Sequence, residues 1–187
     1  MKKAFAVALV VLGIAFVGGG TYAVDRGIDA KNQVRAELRR QHITTPADAA
    51  IANAPVRSAA TAEAMAAIID KHAREATGGL SYGEMGRFLT KDRDPVGTSV
   101  EADAVRGADG QPVRNPLRSV AFEASAVRTG LYTSVMAFNV SDLVVGLGLM
   151  TLVLGLALAG VGITIGGLTV PVPARRKRMA GAPVLGT

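Results

Sequence analysis

The chain has 187 residues, no Cys, 4% aromatic residues and a formal net charge of +6. Without Cys there is no disulfide framework, thiolate nucleophile or Cys metal site, and an Ala-, Val-, Leu- and Gly-rich mix suits helices better than a sandwich or barrel. A nucleic-acid binder would gather its excess charge on a domain, but all 15 acidic and 15 of the 21 basic residues lie between Asp25 and Asp142, which leaves that stretch neutral and the excess on the two tails.

Residues 1–3 read as a cytoplasmic tail carrying Lys2 and Lys3. Residues 4–24 hold no charge and as a helix span roughly 30 Å, a bilayer core. This segment either stays as a signal anchor or is a signal peptide cut after Ala23, where Thr21 and Ala23 supply small residues at the required spacing. Its full length favours retention as transmembrane helix 1.

Residues 25–142 form the middle region. Asp25 to Ile43 continues the first helix, with Ile28, Val34 and Leu38 among charges. Thr45-Pro46-Ala47-Asp48 reads as an N-cap with Pro at the first helical position. Ser58 to Ala76 is an Ala-rich helix stopped by Gly78-Gly79. Ser81-Tyr82-Gly83-Glu84 is a capping box for a short helix through Leu89, and Thr98 to Glu101 is another for a helix to about Arg106. Ala108-Asp109-Gly110 is a turn. Asn115-Pro116 opens a last helix that runs into the second span, and Lys91 to Pro116 is the loosest stretch. No run of strand period stands out.

Residues 143–168 are again uncharged and long enough to cross as transmembrane helix 2. Residues 169–187 follow, with Pro171 and Pro173, which cannot continue a helix, and the cluster Arg175, Arg176, Lys177 and Arg178. Basic residues flank the outer end of each span. The positive-inside rule puts both termini in the cytoplasm and the middle region outside it. The spacings Ala15 with Gly19, Gly155 with Ala159 and Gly162 with Gly166 allow close helix approach. They suit packing of the spans on each other, on a protein partner or on a second copy.

Catalytic chemistry finds little footing. His42 and His72 are the two histidines and lie on separate segments, whereas a non-haem iron site needs two His and a carboxylate converging. There is no nucleophile elbow, no phosphate loop and no dinucleotide fingerprint. The most informative stretch is Phe122 to Asp142. On a helix, Arg128, Tyr132, Asn139 and Asp142 fall within about 80° of one another. That polar stripe is the candidate ligand or partner face. Alternatively the membrane starts only at Leu143 and Asp142 sits in the head-group zone.

Three stretches carry a resemblance: Thr45-Pro46-Ala47-Asp48-Ala49 with Asn53-Ala54-Pro55-Val56; His72-Ala73 with Thr77 to Glu84; and Glu123 to Phe138. On these the chain resembles a family of small two-span actinobacterial membrane proteins of uncertain function, often labelled aromatic ring-opening dioxygenase. The resemblance implies a cell-envelope setting. The label implies an iron site that two separated His and no Cys do not supply.

The expectation is therefore an all-α protein in which two transmembrane helices flank a small extracytoplasmic helical domain, in the inner membrane. Its expected role is a non-enzymatic structural or interaction module, an accessory subunit of a membrane complex, with membrane lipids and a protein as partners, no nucleic acid and no cofactor. The alternative is a lipid- or small-ligand-binding protein using the Arg128–Asp142 face; a dioxygenase is a distant third.

Overall fold

The computed structural model describes residues 1–167. The Arg175 to Arg178 cluster, the two prolines and the last residue of the second span, Leu168, lie outside the described residues. The described residues form three α-helices: α1 (Lys2–Arg40), α2 (Ala59–Ala76) and α3 (Pro116–Gly166). A short 3-10 turn covers Glu101–Asp103, and there is no strand among the described residues. The described residues are thus all-helical in class. Both α1, at 39 residues, and α3, at 51, are long and apolar enough to cross a membrane.

The described residues form two compact units, 1–20 with 150–167 and 21–149. In the first unit the start of α1 lies antiparallel to the end of α3. The contact is made backbone to backbone, through residues without bulk. A Cβ on Gly13 would stand 2.6 Å from Ala159 N and Gly155 O, and one on Gly162 would stand 2.8 Å from Ala6 O. Gly155, Ala159 and Gly162 thus face α1 as their spacing suggests. On α1 the contact falls on Ala6 and Gly13 instead of Ala15 and Gly19: Ala15 is exposed and nothing lies within 4 Å of a Cβ on Gly19. Elsewhere these helix surfaces are apolar and outward-facing, with Val11, Ile14, Met150 and Val153 all more than 60% exposed.

In the second unit α1, α2 and α3 share one core. Leu38 from α1, Val56, Ala62 and Ala66 from α2 and its approach, and Leu131 and Phe138 from α3 pack together. Phe138 is fully buried, and a side chain of that size contributes on the order of 1.5–3 kcal/mol by leaving water. Ala62 and Ala66 are one helical turn apart, so their small side chains let α2 sit close to its neighbours. Ser58 caps α2: its hydroxyl accepts from Thr61 N, while Ser58 N donates back to Thr61 Oγ1. The stop is the expected one, with Gly78 and Gly79 at φ 66 and 90 and Gly79 N donating to Arg74 O. Asn115 opens α3 as expected, its Oδ1 accepting from Leu117 N.

Three expected short helices do not form. Thr45 does not cap a helix at Pro46. It is buried, and its hydroxyl accepts from Ala54 N and donates to carbonyls at Ile51 and Ala54, which closes residues 45–54 into a loop. Ser81 and Glu84 do make the bonds of a capping box, Ser81 N and Oγ both donating to Glu84 Oε2. The chain then leaves the helical path. Gly86 N donates to Val96 O, and Phe88 exchanges both backbone bonds with Thr98. The expected helix from Thr98 shrinks to the 3-10 turn. Lys91 to Pro116 is not loose either. Leu89 pairs with Val105 and Val113, Gly107 with Gln111, and Asn115 N with Arg87 O. The backbone groups of this segment find partners across the loops instead of along helices.

Candidate functional site

Each residue of the polar stripe lies on α3, but the four do not converge on one ligand-sized site. Arg128 Nη1 donates to Asp70 Oδ1 of α2 at 2.6 Å, and Asp142 Oδ1 accepts from Lys31 Nζ of α1 at 2.5 Å. The two end charges are about 21 Å apart along the helix and are held by different partners. Between them Tyr132 and Asn139 are exposed. Asp70 is shared, since Arg74 Nε also donates to it at 3.1 Å. These pairs tie α3 to both of the other helices.

The histidines stay apart. His72 Nε2 and Asp48 Oδ2 are 2.7 Å apart, with Lys71 Nζ at 3.5 Å from the same carboxylate. That hydrogen bond, helped by a backbone hydrogen bond and by the charges of His72 and Lys71, outweighs the opposing effect of burial and holds the Asp48 carboxyl below the usual range. His42, in the turn after α1, has φ 52 and lines a separate small cleft with Arg39 and Arg57. Among the described residues, no three His, Asp or Glu side chains gather as a metal site would need.

A further cleft lies outside the polar stripe. Its volume is about 330 Å³, at the small end of ligand pockets, and it is lined by Tyr82, Arg87, Phe88, Arg114, Asn115, Arg118, Ser119 and Phe122. It is built where the loop pairings meet the first turns of α3. The Asn115 N–H bond to Arg87 O brings residues 87 and 115 together, and Asn115 Nδ2 donates to Pro95 O at 3.0 Å. The Arg118 guanidinium lies 4.0 Å over the Tyr82 ring, and that ring packs at 5.5 Å on Phe122. Helical spacing puts Arg118, Ser119 and Phe122 on one face of α3, but no period links that face to Tyr82, Arg87 and Phe88. Only the density of Arg and aromatic residues in 82–122 hints at them.

No protein-family model, curated protein or solved structure matches the chain.

Proposed function

We propose that the chain is a two-span protein of the inner membrane, with both termini in the cytoplasm and residues 25–142 outside it. There it acts as a non-enzymatic structural or interaction module of the cell envelope, an accessory subunit of a larger complex. One observation carries this reading: α1 and α3 each run unbroken from an apolar segment into the helices whose Leu38, Leu131 and Phe138 build the core. A domain fused in this way to two apolar helices is held firmly at a membrane, which favours assembly over free diffusion. The outward apolar surface agrees, because soluble monomers rarely expose such a large patch. The resemblance to two-span actinobacterial envelope proteins agrees as well.

The test is purification from native membranes after in-cell cross-linking. A stoichiometric protein partner, or a defined homo-oligomer, is the expected result. A monomer with no cross-linked neighbour contradicts it.

A second reading is lipid or small-ligand binding at the Arg128–Asp142 face, favoured by the exposure of Tyr132 and Asn139. Alanine at Arg128 and at Asp142 should then remove bound lipid in native mass spectrometry; unchanged lipid rejects it.

A further inference from the structure

We propose that the cleft lined by Arg87, Arg114 and Arg118 binds a small anion, a phosphate or carboxylate group carried on a flat apolar body. The site needs only the fold of residues 82–122 and goes beyond the interaction reading above.

Charge is the first ground. Three arginines line one cleft, and among the described residues none of the three lies within 4 Å of a carboxylate; the ion pairs of the described residues use other cations. Like charges placed together repel unless an anion enters. Arg118 Nε is also shielded from solvent and has no hydrogen-bond partner. A buried donor left unpaired costs on the order of 1–3 kcal/mol, so this guanidinium is under-satisfied at the wall of the cleft. Guanidinium is the side chain best matched to the two oxygens of a phosphate or carboxylate.

The walls are the second ground. Tyr82, Phe88 and Phe122 give the cleft flat apolar surfaces beside the charges, which suit a ligand with a ring or other planar body. Ser119 adds a hydroxyl. Ser125, Thr129, Thr133, Ser134 and Ser141 give theirs to the carbonyl four residues back; among the described residues Ser119 does not. Arg114, Arg118 and Ser119 surround the start of α3, a 51-residue helix, and its dipole adds to the attraction.

A phosphate can come from a free ligand or from a lipid head group. Arg118 is about 37 Å from Leu143 along α3, so on the two-span reading the chain's own bilayer is out of reach. The cleft therefore takes a dissolved ligand.

The experiment uses the full chain in phosphatidylcholine nanodiscs, titrated by ligand-observed NMR with phenyl phosphate, inorganic phosphate and benzyl alcohol. Phenyl phosphate should saturate and bind about tenfold more tightly than inorganic phosphate, with benzyl alcohol weakest. Arg118→Gln should weaken phenyl phosphate about tenfold, and Arg87→Gln severalfold. Arg87 is exposed and its side chain is free of the core, so the second variant stays informative if the first fails to fold. No saturation by 10 mM phenyl phosphate (about the weakest affinity such a site would show) overturns the proposal, as does equal binding by parent and both variants. Vesicles of phosphatidylglycerol that bind the nanodiscs and are displaced by phenyl phosphate would overturn the assignment to a dissolved ligand. Loss of the expected topology, with phenyl phosphate still bound, would sink the two-span reading and leave the site.

Discussion

Lys31 on α1 and Asp142 on α3 meet at 2.5 Å, one position before the apolar run that starts at Leu143. In the second unit this pair clamps the two long helices antiparallel, beside Gly27, where a Cβ would stand 2.7 Å from Val145 Cγ2. Asp142 is 57% exposed, so solvent screening limits the pair to about 0.5–1 kcal/mol. A double-mutant cycle of Lys31→Met and Asp142→Asn, read by unfolding in neutral bicelles, should give a coupling of that size. Strict additivity would show that the contact contributes nothing.

Arg128 and Asp70 are each 30% exposed in their side chains and meet at 2.6 Å. Arg128→Ala should lower stability by about 1 kcal/mol, more than a fully exposed pair. Asp70 keeps Arg74 in that variant, so no carboxylate is orphaned. A wild-type melting curve for Arg128→Ala would contradict the role given to this pair in joining α2 to α3.

Glycines at the helix contact should divide by what faces them. Gly13→Ala brings a Cβ to 2.6 Å from the Ala159 and Gly155 backbones, which cannot yield as a side chain would; overpacking of this kind costs about 1–3 kcal/mol. Gly18→Ala and Gly146→Ala meet nothing within 4 Å and should be neutral or stabilising, because Ala is the better helix former by up to about 1 kcal/mol. Equal effects at Gly13 and Gly18, measured by the same unfolding assay, would argue against the contact.

Thr45→Val keeps the shape and removes the hydroxyl that Ala54 N–H needs. Thr45 is 1% exposed, so the orphaned amide should cost about 1–3 kcal/mol. Hydrogen exchange at Ala54 should quicken with the loss. Unchanged protection at that amide would mean the loop is closed by other bonds.

Asp48 has its folded pKa depressed by the His72 hydrogen bond. A depressed carboxylate stabilises the fold above its unfolded pKa, near 3.9, and that contribution disappears as pH falls through the lower folded value. NMR titration should find Asp48 below the usual carboxylate range. His72→Gln should move it back upward, with Lys71→Ala having a smaller effect in the same direction. An Asp48 titration unaffected by His72→Gln would contradict the pairing.

The long helices were legible because each is a run of apolar residues many turns long, and because Gly78-Gly79 and Asn115-Pro116 mark ends by backbone conformation alone. The loops were not legible for a physical reason. The Ser81–Glu84 box forms with its expected bonds, yet a box fixes only its own turn; Gly86 then turns toward Thr98 because a glycine there admits a backbone at contact distance, a Cβ falling 2.4 Å from Thr98 N. Pairings such as Leu89 with Val113 join residues distant in sequence and leave no period to read. The same pairings gather Arg87, Arg114 and Arg118, so the cleft was hidden with them. The stripe from Arg128 to Asp142 was legible as a face, but its partners Asp70 and Lys31 sit on other helices.

Membrane topology decides whether the chain crosses the bilayer twice with residues 25–142 outside. The chain has no native Cys, so Ala60→Cys and Ala180→Cys each give one reporter, to be labelled in intact cells with a membrane-impermeant maleimide and checked by intact mass. Position 60 should label from outside and position 180 only after lysis, and the mature chain should keep its first span. Labelling of position 180 but not 60 in intact cells would contradict that topology.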